Sequence, residues 1–258
     1  PQLSDDKKMS LALYPSIKLG ATEQKIRRSI SRLTTGLNIL AGGTSGDFAQ
    51  GIEFSKEAKS NKAVVSTTQV GLDLLRTAES ALIELAALAT RLREIGIADT
   101  NSTNSTSDTA ALNAEAISVS DSIDDIVSTL KFHSVALLGT GDTSFNIVKN
   151  LDGATTSVKT TEGITATNIT DATNSNTTAD TALTEINTSL GHVAGGMTAL
   201  AAYGNISSAM ASIELQTAAR LMDTNFALET AKLMKNTLIQ KYATSSVSKA
   251  NEIEDNKK

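Results

Sequence analysis

The sequence predicts a mainly α protein: a long antiparallel helical bundle or coiled coil formed by the N- and C-terminal segments, with a small central β-hairpin region. Three observations predict it. Apolar residues recur at three and four spacing from about residue 17 to 95 and again from about 180 to 242, the period of one helix face. No proline follows Pro15, so no residue in those stretches is barred from a helix hydrogen bond. The interval from Phe132 to Ala179 is instead rich in Thr, Asn, Gly and β-branched residues, the composition of short strands and turns. Apolar stripes this long must be covered by others of similar length, so assembly is the first functional expectation.

Each element has its own signal. The first helix is expected from about Ser16 to Asn38, where Ile26, Ile30, Leu33 and Leu37 advance by four, three and four. The small-residue run Ala41-Gly42-Gly43-Thr44-Ser45-Gly46-Asp47 then breaks it, because three glycines make a continuous helix costly. A second helix begins near Phe48 and carries Val70, Leu74, Ala78, Leu82, Leu85, Leu88, Leu92 and Ile95 on one side. Asn, Ser, Thr and Asp from Asp99 to Thr109 mark a loop, in which side chains compete for backbone hydrogen bonds. A shorter third helix resumes at Ala110 and is expected to fold back antiparallel on the second.

Strands are expected at Ser144–Val148 and Gly163–Ile169, with turns at Asp152-Gly153 and Glu162-Gly163. The last helix opens near Asp180, and Leu183, Ile186, Leu190, Val193, Met197 and Leu200 hold a heptad rhythm. Its phase then slips to Ile206, Met210 and Ile213, and Leu221, Leu228, Leu238 and Tyr242 are expected to continue the same helix. Fraying is expected after Ser245, where the chain turns to Ser, Lys, Asn, Glu and Asp. The expected organisation is therefore 1–40 and 220–258 as terminal helical segments, 41–138 and 180–219 as two parts of a bundle, and 139–179 as the hairpin region.

Composition bounds the chemistry. A chain of 258 residues, 40% hydrophobic, is long enough for one or two packed domains and too apolar for general disorder. With aromatics at 3% and no Trp, a pocket lined by large rings is not expected. Cysteine is absent, which excludes thiolate metal sites, thiol redox chemistry and disulfides. No run of about 18 apolar residues predicts a membrane span, and the first residues lack the order of a secretory signal, so export would use another route. A net charge of −5 argues against general nucleic-acid binding.

Candidate catalytic groups have plainer readings. His133 and His192 have 58 residues between them and no HExxH, whereas a metal needs three or four convergent ligands. Asp124 and Asp125 are neighbours on a helix and point about 100° apart, so they do not converge on one substrate and read as a solvated face. Gly42-Gly43-Thr44-Ser45-Gly46 lacks the preceding strand and the lysine of a phosphate loop. Six Asn-x-Ser/Thr matches, at Asn101, Asn104, Asn168, Asn176, Asn187 and Asn205, follow from a composition rich in those residues. Arg91, Arg93 and Glu94 read as a solvated face or a partner-binding patch. No catalytic residue, metal or cofactor is expected, and the chain is read as a non-enzyme.

Several blocks carry a family resemblance. Arg32-Leu33-Thr34-Thr35-Gly36-Leu37-Asn38-Ile39 resembles the amino-terminal signature of flagellins. Gly71 to Leu82, Arg91-Leu92-Arg93-Glu94-Ile95, Ala110 to Glu115 and Phe132 to Leu138 are similar to the following parts of that family, and Phe226 to Asn236 to its carboxy-terminal helix. In order and spacing the blocks cover about residues 16 to 251. The resemblance implies a bacterial flagellin without large outer domains, exported through the flagellar type III apparatus and polymerised under a cap into an extracellular filament.

Terminal helices that pair and line an inner tube are implied with it. Ile26, Ile30, Leu33 and Leu37 at one end, and Leu221, Leu228, Leu238 and Tyr242 at the other, are then the assembly residues. Association would remove their surface from water at about 25 cal/mol per Å². The implied partners are identical subunits, an export chaperone, the filament cap and hook-junction proteins, with neither nucleic acid nor membrane. An innate immune flagellin receptor is implied at Arg91, Ile95 and Glu115, where Thr90 and Ile95 stand in place of the usual Gln and Leu. A hook-filament junction protein is the alternative, since it shares the paired terminal helices.

Overall fold

The computed structural model describes residues 5–38, 45–165 and 167–255. Among them run α1 (Asp5–Thr35), α2 (Ser45–Asp99), α3 (Thr106–Thr129), β1 (Lys131–Phe132), β2 (Val135–Ala136), β3 (Thr143–Val148), β4 (Thr155–Thr161), α4 (Ser175–Met222) and α5 (Phe226–Asp255). The fold is mainly α with a small β-hairpin region, as the spacing predicts. Residues 39–44, which hold most of the expected glycine turn, lie outside the described residues. The contacts divide the chain into unit 1, Pro1–Lys56 with Ile213–Lys258, and unit 2, Glu57–Ser212. The sequence-based boundaries of the terminal segments, 40 and 220, fall inside unit 1.

Unit 2 holds the apolar core. On α2 one line of buried positions is Asn61, Val64, Thr68, Gly71, Leu75, Ala78, Leu82, Leu85, Ala89, Leu92 and Gly96, with Leu74 and Ile95 buried beside it and Gly51 and Ala58 buried before it. Steps of three and four alternate throughout, the 3.5-residue period of a coiled-coil seam. Antiparallel to it, α4 buries Ala179, Ala182, Ile186, Ser189, Val193 and Leu200. The pairing is fixed at one level by Arg93, whose Nε lies 2.7 Å from Asp180 Oδ1, and at another by Leu200 against Gly71. Helix α3 returns along α2 from a capping box in which Ser105 and Asp108 satisfy each other's backbone N–H groups. It adds Ala116, Ile123 and Val127 to the core.

Two predicted stripes are corrected. Val70 is 51% exposed, and Gly71 takes the seam position beside it. A Cβ on Gly71 would come within 2.9 Å of Leu200 Cδ1, so the helices approach where only glycine fits. Counting apolar residues alone finds Val70 and misses the glycine. On α4 the stripe does not pass to Ile206, Met210 and Ile213, all of which are exposed. It continues through Ser207 and Ala211, then Glu214 and Ala218. The seam here is narrow, with Thr68 Oγ1 only 3.0 Å from where a Gly204 Cβ would lie, which leaves room for small side chains.

The hairpin region is corrected as well. β3 pairs antiparallel with Thr155–Thr161, from Ser144 against Lys159 to Val148 against Thr155. Among the described residues the expected strand at Gly163–Ile169 is not formed: Ile164 N–H donates to Gly139 O, Thr165 N–H to Glu185 of α4, and the last three donors go to α3 side chains. Thr167 N–H and Asn168 N–H donate to Asp124, and Ile169 N–H donates to Ser120 Oγ. A second hairpin, β1–β2, turns at His133 and Ser134, both in the left-handed region at φ 47° and 67°. The last helical stretch is two helices, interrupted at Asp223–Asn225, and α5 runs on to Asp255 where fraying was expected.

Candidate assembly surface of the terminal helices

Unit 1 is built on α1 and α5. Gly36, at φ 71°, ends α1 in the left-handed conformation, and its N–H donates to Arg32 O at 2.9 Å. The chain beyond pairs briefly with the break before α5: Asn38 N–H donates to Met222 O and Thr224 N–H to Gly36 O, each at 2.8 Å. Asn225 then caps α5, its Oδ1 accepting from Leu228 N–H. With Gly36 beside Thr224 and Ser29 beside Glu229, α1 and α5 run antiparallel.

The seam between these helices is polar. Thr22 and Ser29, one heptad apart on α1, are buried, and so is Glu229 on α5. Ser29 Oγ donates to Glu229 Oε1 at 2.8 Å, Arg32 stands 3.6 Å from the same oxygen, and Lys232 donates to Oε2. Burial pushes the Glu229 carboxyl up, but the bonds from Ser29 and Lys232 and the charges of Lys232 and Arg32 outweigh it, so it sits below its ordinary value. Sequence reasoning missed this cluster. The available signal was Thr22, Ile26 and Ser29 at seam spacing, which a search for apolar residues passes over.

Large apolar side chains lie instead on the outside of unit 1. Of the eight predicted assembly residues, Ile30 (49%), Leu37, Leu228 (54%), Leu238 and Tyr242 (74%) are exposed, while Ile26, Leu33 and Leu221 are half-buried. Ile52, Ile213, Leu215, Phe226, Met234 and Ile239 are exposed too. Against them, Ala218 is the one fully buried apolar residue of unit 1 among the described residues.

The second predicted surface lies on unit 2. Arg91 donates to Glu115 across the α2–α3 pair, 2.8 Å from Nε and 2.5 Å from Nη2, and its Nη1 reaches Glu94 at 3.0 Å. These bonds raise the Arg91 guanidinium above its ordinary value. Arg91 and Glu115 face solvent, whereas Ile95 is 1% exposed and belongs to the core beneath them.

The remaining candidates have structural placements. His192 Nε2 lies 2.9 Å from Glu162 Oε1, and His133 sits in the β1–β2 turn. Asp124 is not the solvated residue that its sequence suggests, since it fastens Thr167 and Asn168 to α3. Among the described residues no cluster of His, Asp and Glu is placed to hold a metal, and no helix is long and apolar enough to cross a membrane.

Paired terminal helices that expose their apolar side chains, joined in one chain to a heptad-packed bundle, define the class: a long-helix protein with a small hairpin region. Residues 8–143 match the family model of the bacterial flagellin N-terminal helical region, and the chain belongs to the bacterial flagellin family. It is 30% identical to a flagellin of Clostridium tyrobutyricum over 115 residues, 43% of this chain and 30% of that protein. A flagellin of Halalkalibacterium halodurans is 30% identical over 124 residues, 46% of this chain and 44% of its own length. Flagellin A of Vibrio cholerae is 24% identical over 149 residues, 54% of this chain and 39% of its own. The matches thus span less than half the length of these relatives. The crystal structure of Bacillus cereus flagellin aligns with a TM-score of 0.38 at 22% identity, covering 56% of this chain and 86% of that one.

Proposed function

We propose that this protein is a structural subunit that polymerises with identical copies into the bacterial flagellar filament and serves swimming motility. One observation carries the reading: unit 1 buries small and polar side chains and leaves Ile30, Leu37, Phe226, Leu228, Met234, Leu238 and Tyr242 on its surface. A surface of that composition is costly to leave in water, and covering it contributes about 25 cal/mol per Å². Repeating one contact between unlike faces, without closing a ring, produces an open helical filament. Family membership supports the same reading.

Under this proposal the chain acts outside the cell, as part of the flagellum, and has no catalytic task. Its other partners are an export chaperone, the filament cap and the hook-junction proteins. The innate immune flagellin receptor would meet Arg91 and Glu115, with Ile95 holding the helix face from below rather than touching the partner.

The test is electron microscopy of concentrated protein supplied with preformed filament fragments as seeds, beside a copy lacking residues 1–40 and 220–258. Elongation of seeds by the full chain alone is expected. A full chain that stays monomeric, or that stops at capping the seeds as a hook-filament junction protein would, overturns the proposal.

A further inference from the structure

We infer that the groove between α1 and α5 binds carboxylates, and that its occupant is the acidic face of α3 on a second copy of this chain; the inference rests on the filament reading. Lys25, Arg28 and Arg32 from α1 and Lys232 and Lys235 from α5 line the groove around one carboxylate, Glu229. Glu229 is already shared by Ser29, Arg32 and Lys232. Among the described residues, Lys25, Arg28 and Lys235 have no acidic side chain within 4 Å. Like charges crowded along one groove repel one another, and an anionic partner relieves the repulsion.

The chain itself supplies that partner. Unit 1 contains 15 Lys and Arg against 11 Asp and Glu, a formal +4, whereas unit 2 contains 8 against 17, a formal −9. Two copies are therefore complementary when unit 1 of one meets unit 2 of another. Within unit 2, α3 is the helix that carries acids and no Lys or Arg. Three of its acids are engaged: Asp108 in the capping box, Glu115 with Arg91, and Asp124 with Thr167. Asp121 and Asp125 are exposed and without a cation in reach among the described residues. They stand one helical turn apart, about 6 Å, the same order as the i, i+3 spacings of Lys25 with Arg28 and Lys232 with Lys235.

Seeded elongation of the full chain tests this, with a Lys25→Gln/Lys235→Gln variant whose circular dichroism melt shows the fold retained. The difference between variant and wild type is the readout, because salt also screens repulsion between the acidic units. At low salt the variant is expected to elongate at least about tenfold more slowly, and the gap to close toward 1 M salt, where the Debye length shrinks to about 3 Å. Lys25→Glu/Lys235→Glu is expected to stop elongation, and adding Asp121→Lys/Asp125→Lys to the same chain to restore it. Equal elongation by the Gln variant and wild type at low salt overturns the groove assignment alone. A gap that salt leaves unchanged, or a charge swap that restores nothing, overturns the α3 partner. Wild type that fails to elongate at all sinks the filament reading first.

Discussion

Glu229 sits where α5 would be expected to place an apolar residue against α1, and its carboxylate is held by Ser29, Arg32 and Lys232. A buried carboxylate of this kind depends on its partners more than it stabilises on its own account, because a lost donor leaves desolvation uncompensated. Ser29→Ala is thus expected to destabilise the α1–α5 pair by about 1–3 kcal/mol, read as a lower temperature for loss of helical circular dichroism. Acid acts on the same group. Since the folded-state pKa lies below the ordinary carboxylate value, the stabilisation is present above the unfolded value, about 4.3, and is lost as pH falls through the folded one. Melts taken from about pH 6 to about pH 3 should show helical signal in the wild type weakening with acid. Glu229→Gln should start weaker and respond less, and an equal response in both proteins would place the acid sensitivity elsewhere. Gly36 completes the residue scale: at φ 71° it can be replaced by Ala only at a cost of about 1 kcal/mol.

At the scale of elements, α2 and α4 show how a heptad can be real and yet incompletely legible. The period is plain from Leu82, Leu85 and Leu92, and so are the helices apart from the break between α4 and α5, the loop after Asp99 and the strand expected at Ser144–Val148. What could not be read was close approach, because a seam filled by Gly71, Gly96, Thr68 and Ser207 carries no hydrophobic signal. The same blindness hid Thr22, Ser29 and Glu229 in unit 1. It also promoted Ile206, Met210 and Ile213, which are apolar and at helical spacing but on the open side. The strand expected at Gly163–Ile169 fails for another reason: Asp124 and Ser120 on α3 bind the backbone at Thr167, Asn168 and Ile169, and no local pattern announces a partner more than forty residues away. These approaches make a sharp prediction. A Cβ on Gly96 would stand 2.4 Å from the backbone nitrogen of Asn176, which is main chain and cannot rotate aside. Gly96→Ala should cost about 1–3 kcal/mol by overpacking, although Ala is the better helix former. Gly191→Ala, with open space around the same built atom, should stabilise or leave the melt unchanged. The reverse order of the two melting temperatures would mean that the α2–α4 seam is looser than its geometry.

For the whole molecule, stability is divided unevenly between the two units. The buried apolar cluster, from Leu74 to Leu200, belongs entirely to unit 2. Unit 1 has hydrogen bonds, caps and one ion cluster, but among its described residues only Ala218 is a fully buried apolar side chain. Hydrogen bonds and surface ion pairs contribute little net stability without apolar burial, and helices of this kind are sustained mainly by tertiary packing. In an isolated chain, α1 and α5 are therefore expected to open locally at low free energy while the α2–α4 seam opens only with the whole of unit 2. Hydrogen exchange read by mass spectrometry should show peptides from 18–35 and 226–245 exchanging well before those from 74–95 and 182–200. On assembly the order should change, because covering Ile30, Leu228, Leu238 and Tyr242 adds the burial that unit 1 lacks. Protection of the terminal peptides should then rise by at least about tenfold, each tenfold corresponding to about 1.4 kcal/mol. Strong protection of both terminal peptides already in the monomer would mean that unit 1 is stable alone, and its exposed apolar face would no longer argue for a subunit completed by its neighbours.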